Sequence, residues 1–133
     1  MTVLTRRILA EFVGTAFLVA AVVGSGIAAV RLSPHDVGLQ LLENSGVTGG
    51  VLVALILALQ PVSAAFNPLV TLVERAFGHI TTRDAASLIV AQFVGGSAGA
   101  VVANLMFGLP AVSVSTHQRS GPALNAAACA PRY

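Results

Sequence analysis

The chain has 133 residues, 56% of them hydrophobic, with seven arginines set against five acidic residues. Soluble domains carry about 25% charged residues, so 9% charged and a mean hydropathy of +0.87 leave too little polarity to cover a water-soluble sphere. The composition is that of a membrane protein, and a scattered net charge of +2 excludes a nucleic-acid surface. The lone Cys129 forms neither an internal disulfide nor a thiolate cluster. His35, His79 and His117 are far apart and there is no tight carboxylate pair, so no enzyme, metal site or cofactor is expected.

Gaps between charges mark the elements. Residues 8–30 hold one charge, Glu11; residues 44–73 and 85–116 hold none. A hydrocarbon core of about 30 Å needs roughly 20 helical residues at 1.5 Å each, and each gap is long enough. The first span also has features of a cleavable signal peptide, with Arg6 and Arg7 ahead of an apolar stretch and small residues at Gly26, Ala28 and Ala29. The internal Glu11 and the length of the segment argue against that alternative. The expected helices are 8–30, 41–60 and 84–108.

The second gap is interrupted by Pro61 and by Asn67-Pro68. Asn is a favoured helix N-cap, and Pro suits the first helical position because its missing N–H would be unpaired there. A new helix is therefore expected to start at Pro68 and stop by Gly78, at about half the length needed to cross. Two readings of residues 61–78 stand side by side. One is a re-entrant loop and half-helix, which implies a cavity, because unpaired backbone is not tolerated against lipid. The other is an aqueous loop with an interfacial helix.

Small residues recur every fourth position at Gly46, Gly50, Ala54 and Ala58, and again at Ala91, Gly95, Gly99 and Ala103. Such ridges let membrane helices approach closely, so both ladders are expected to be packed. With the amino terminus inside, Arg6, Arg7, Arg75 and Arg83 face Arg31, Arg119 and Arg132 across the membrane, a slim positive-inside bias.

Three motifs in order, Ala10-Glu11-Phe12-Val13-Gly14-Thr15, Ser63-Ala64-Ala65-Phe66-Asn67-Pro68-Leu69-Val70-Thr71 and Ala91-Gln92-Phe93-Val94-Gly95, resemble the first half of the aquaporin and glycerol-facilitator family over about residues 6–108. The resemblance implies an all-α membrane protein of three transmembrane helices plus one re-entrant half-helix, one repeat of an inverted-repeat fold. It implies a passive channel for water or small neutral solutes such as glycerol-like polyols or metalloid hydroxides, in a bacterial inner membrane. Asn67, Pro68 and Leu69 then form the pore motif, and the backbone of Ser63, Ala64, Ala65 and Phe66 lines the path. Glu11 and Gln92 are structural braces, although Glu11 also reads as a first-turn residue suited to the helix dipole. Thr48 falls at the selectivity position, where a small side chain implies a wider pore.

The sequence departs from the family pattern at Leu69, where alanine is usual, and in the loop, where one residue and a histidine are missing between Ser63 and Asn67. Residues 1–109 are read as the first repeat, and residues 110–133 as a non-family tail left by truncation or a frame shift. The channel is then incomplete without a second repeat or a homo-oligomeric partner. The alternative is a small non-transporting membrane protein, either a degenerate fragment or a helical interaction module.

Overall fold

The computed structural model describes residues 1–112; the expectations placed on the remaining tail, including Cys129, lie outside the described residues. Within them the protein is all-helical: α1 Val3–Leu32, α2 Val37–Leu59, α3 Pro68–Ala76 and α4 Thr82–Met106. α1, α2 and α4 are each long and apolar enough to cross a membrane. All three begin before the expected starts, at residues 3, 37 and 82 rather than 8, 41 and 84. The charge gaps measure what sits in hydrocarbon, whereas the ends are set by capping side chains. Thr2 accepts from the Thr5 N–H, Asp36 from Leu39 and Thr81 from Asp84, each supplying a partner that the first turn of a helix lacks.

The core is the α1–α4 contact. Ala91, Gly95, Gly99 and Ala103 are all buried. A Cβ on Gly95 would overlap the Phe12 carbonyl oxygen, and one on Gly99 the Ala16 carbonyl oxygen. The two backbones therefore touch, which lipid-embedded helices achieve with small residues because hydrophobic burial supplies little drive there.

The matching ladder on α2 is different. Gly46, Gly50, Ala54 and Ala58 are exposed, a Cβ on either glycine would meet nothing within 4 Å, and α2 has no buried residue. The expectation that both ladders are packed holds for α4 only. α2 is pinned to α1 near its amino end by polar contacts: Asn44 Nδ2 donates to the Val22 carbonyl (2.9 Å) and Ser25 Oγ (3.0 Å), Ser33 Oγ donates to Glu43 (3.0 Å), and Gln40 donates to the Ser33 carbonyl (2.7 Å). These pins turn the ladder away from α1.

At nine residues, α3 is about 13 Å long. Two residues past its end the chain turns at Gly78, whose φ of 76° is the left-handed conformation glycine adopts without steric cost. The Gly78 and His79 N–H groups there donate to the Arg75 and Glu74 carbonyls.

Candidate pore site

The site is organised around Glu11, the ninth residue of α1. Because the helix starts at Val3, Glu11 lies in the third turn rather than the first, and it is fully buried. A carboxylate so placed must be matched by donors, since an isolated buried charge is very costly. Four donors converge on it. Ser63 Oγ (2.6 Å) and the Ala65 N–H (2.8 Å) donate to Oε1; the Phe66 N–H (2.7 Å) and Gln92 Nε2 (2.8 Å) donate to Oε2. An ionised carboxylate is acceptor-only and takes several such bonds.

The chain at Phe66 is held in an unusual shape. Its φ is 47°, rare for an aromatic residue and worth about 1–3 kcal/mol of strain. Two contacts hold it: the amide bond to Glu11, and a ring lying so close over Gly14 that a Cβ there would collide with it. The short loop is thus drawn tight, with three of its donors on a single side chain. The carbonyl oxygens of residues 63–66 accept no hydrogen bond among the described residues.

Asn67 caps α3. Its Oδ1 accepts from the Leu69 N–H at 2.8 Å, which leaves Nδ2 free to donate, and Pro68 occupies the first helical position. The cap is exposed, as is Leu69 at 67%. Asn67 and Pro68 line a cleft of about 330 Å³ together with Thr15, Gln92 and Ser97. Those neighbours sit near the middle of α1 and α4. The other end of α3 returns to the ends of the same helices, where Glu74 pairs with Arg7 at 3.6 Å and Arg75 Nε donates to Thr82 Oγ1 at 2.7 Å. α3 therefore runs from the ends of the spanning helices to their midpoint and stops, which is the geometry of a re-entrant half-helix and not of an interfacial one.

Gln92 connects the two halves of this arrangement. One Nε2 proton goes to Glu11 and the other to Thr71 Oγ1 (2.9 Å), and Thr71 in turn donates to the Asn67 carbonyl (3.3 Å). Thr71 is fully buried and was not singled out from the sequence. Its position four residues after the cap, on the face of a short helix that must meet a spanning helix, was the available signal. Gln92 Oε1 and Thr15 Oγ1 are buried beside the cleft with no partner among the described residues. Thr48 is not brought to this cleft; it lies on α2, half-buried, its hydroxyl oxygen enclosed and unpartnered.

Three spanning helices, a half-helix entering to mid-depth and a buried glutamate holding its loop form one membrane-embedded helical unit. The family profile described as major intrinsic protein matches residues 1–129, and the chain belongs to that family. The match continues past residue 109. A curated relative, the aquaglyceroporin AqpS of Rhizobium meliloti (strain 1021), is 50% identical over 121 residues, which cover 90% of this chain and 52% of the relative. The chain thus spans about half the length of the relative it matches. No solved structure matches it significantly.

Proposed function

We propose that the chain forms the amino-terminal repeat of a passive channel for small neutral solutes of the water and glycerol class, and that conduction needs a second repeat. The second repeat comes from a continuation of the same chain or from another chain. The observation that carries this reading is the half-helix capped by Asn67 at mid-depth, with Nδ2 unengaged and the loop carbonyls unpartnered among the described residues. A helix N-terminus presents unpaired N–H groups and the positive end of its dipole, which disfavours cations while an amide donor orients a hydroxyl. Carbonyl acceptors leading to that donor give a neutral solute a graded set of hydrogen bonds.

Glu11 and Gln92 act as braces in this reading: the first fixes the loop and the second fixes α3. The relative's printed name, aquaglyceroporin, supports glycerol-sized solutes. The unpartnered Thr15 and Gln92 oxygens, together with the exposed half-depth cap, support incompleteness, since unsatisfied polar groups in a membrane interior cost several kcal/mol each.

The test is permeability of vesicles of neutral and anionic phospholipid containing the chain alone, or the chain together with the carboxyl half of the relative. The pair is expected to pass glycerol but not potassium, and the chain alone to stay near empty vesicles. Ion flux through the pair, or strong glycerol flux through the chain alone, overturns the reading.

A further inference from the structure

One end of the molecule carries four arginines, Arg6 and Arg7 on α1, Arg75 on α3 and Arg83 on α4, against the carboxylates of Glu74 and Asp84. Their engagement is uneven. Arg7 pairs with Glu74 and Arg75 donates to Thr82, whereas Arg6 is exposed and has neither an ion pair nor a hydrogen bond among the described residues. Arg6 stands at the mouth of a groove of about 500 Å³ between the beginning of α1 and the end of α2, lined by Leu9, Ala10, Val13, Leu59 and Val62. A second, smaller hollow of about 100 Å³ adjoins it, sharing Arg6 and Val62 and adding Arg7 and Pro61. From Arg6 to Val13 the helix descends about 10 Å, so the groove leads from headgroup level into hydrocarbon.

We propose that this groove binds one anionic phospholipid, with the upper part of an acyl chain along Leu9, Val13, Leu59 and Val62 and the phosphate on Arg6. The argument is charge complementarity joined to an apolar channel of the right direction. A guanidinium presents a planar fork of donors that matches phosphate oxygens. Arg6 is the side-chain cation at this mouth that Glu74 does not already neutralise, and Met1, which bears the amino-terminal ammonium, lines the same groove, so a headgroup carrying a second, positive charge is disfavoured relative to a net anionic one. At the opposite end of α1 a groove of about 660 Å³ is also lined by an arginine, Arg31, but that guanidinium is already engaged, donating to the Phe107 carbonyl at 2.8 Å and lying over the Phe107 ring. The proposal does not depend on conduction.

The test is native mass spectrometry of the full 133-residue chain in a neutral detergent, with added phosphatidylglycerol or phosphatidylcholine of identical acyl chains. Phosphatidylglycerol is expected to bind about fivefold more tightly, a basic side chain near an anionic surface being worth roughly that factor. Arg6→Gln should remove most of the preference, the amino terminus at Met1 supplying the remainder, while Arg83→Gln, the same charge change at the same end but away from the groove, should keep it. Both side chains are exposed, so neither variant should compromise folding. Equal loss in the two variants indicates general surface electrostatics and overturns the proposal, as does equal binding of the two lipids by the unaltered chain. Competition by water-soluble glycerophosphate at matching concentration overturns the acyl-chain part, and dimers that exclude lipid show that a second copy fills the groove instead.

Discussion

Two ridges of small residues with the same four-residue spacing meet opposite fates in this chain. The α4 ridge is pressed against the α1 backbone, while the α2 ridge faces outward with nothing on it. The spacing states that a helix face can be approached closely; it does not say by what. The deciding contacts are polar and lie elsewhere. Glu11 and Gln92 tie α1, the loop and α4 into one knot, while Asn44, Glu43 and Gln40 rotate α2 so that its pins, and not its ridge, face α1.

The sharpest way to break that contrast is Glu11→Ala. Orphaning buried donors costs about 1–3 kcal/mol each, so a loss of roughly 4 kcal/mol or more is expected in reversible unfolding in mixed micelles; a loss under about 1 kcal/mol would mean the knot is not what holds the loop. Next comes Gly95→Val, expected to cost about 3 kcal/mol by overpacking, against Gly50→Val, expected to stay within about 0.5 kcal/mol in the chain alone. Equal costs would erase the difference between the ridges. Should the second repeat seat on α2, Gly50→Val lowers co-purification with the relative's carboxyl half while leaving the isolated chain intact. Thr71→Val, which removes the acceptor for one Gln92 proton, is expected to cost about 1–2 kcal/mol by the same measurement. Asn67→Ala sits at the small end, about 1 kcal/mol for a lost N-cap, and is expected to reduce glycerol flux of the reconstituted pair far more than it reduces stability.

Much of this arrangement is legible in the sequence, for identifiable reasons. Charge is excluded from hydrocarbon at high cost, so the three spans show as gaps, and Asn67-Pro68 is a local capping signal that needs no tertiary context. The expected start at Pro68 coincides with the observed one. Glu11 was ambiguous because its meaning depends on where α1 begins. With a start at residue 8 it is a first-turn acid; with Thr2 as cap it is a third-turn acid that must find donors. The left-handed Phe66 is invisible to local preference, since it exists only because Glu11 and Gly14, more than fifty residues earlier, hold it. The orientation of α2 was equally hidden, being set by Asn44, Glu43 and Gln40, whose partners cannot be read from spacing.

The separation of the knot's members along the chain also has a bearing on how the protein is made. Glu11 meets Gln92 across 81 residues, and the tightest helix contact joins α1 to α4, the first and last elements described. A nine-residue helix is too short to enter a bilayer on its own, and the loop ahead of it can bind Glu11 early, but α3 gains Gln92 only after the third span has been synthesised. The seating of α3 is therefore expected to be completed only once α4 is in place, since Gln92 is what fixes Thr71. Labelling of cysteines introduced at residues 68–76, in chains stalled before and after residues 82–106 are made, is expected to fall once α4 is present, and equal labelling in the two would show that α4 does not complete the seating.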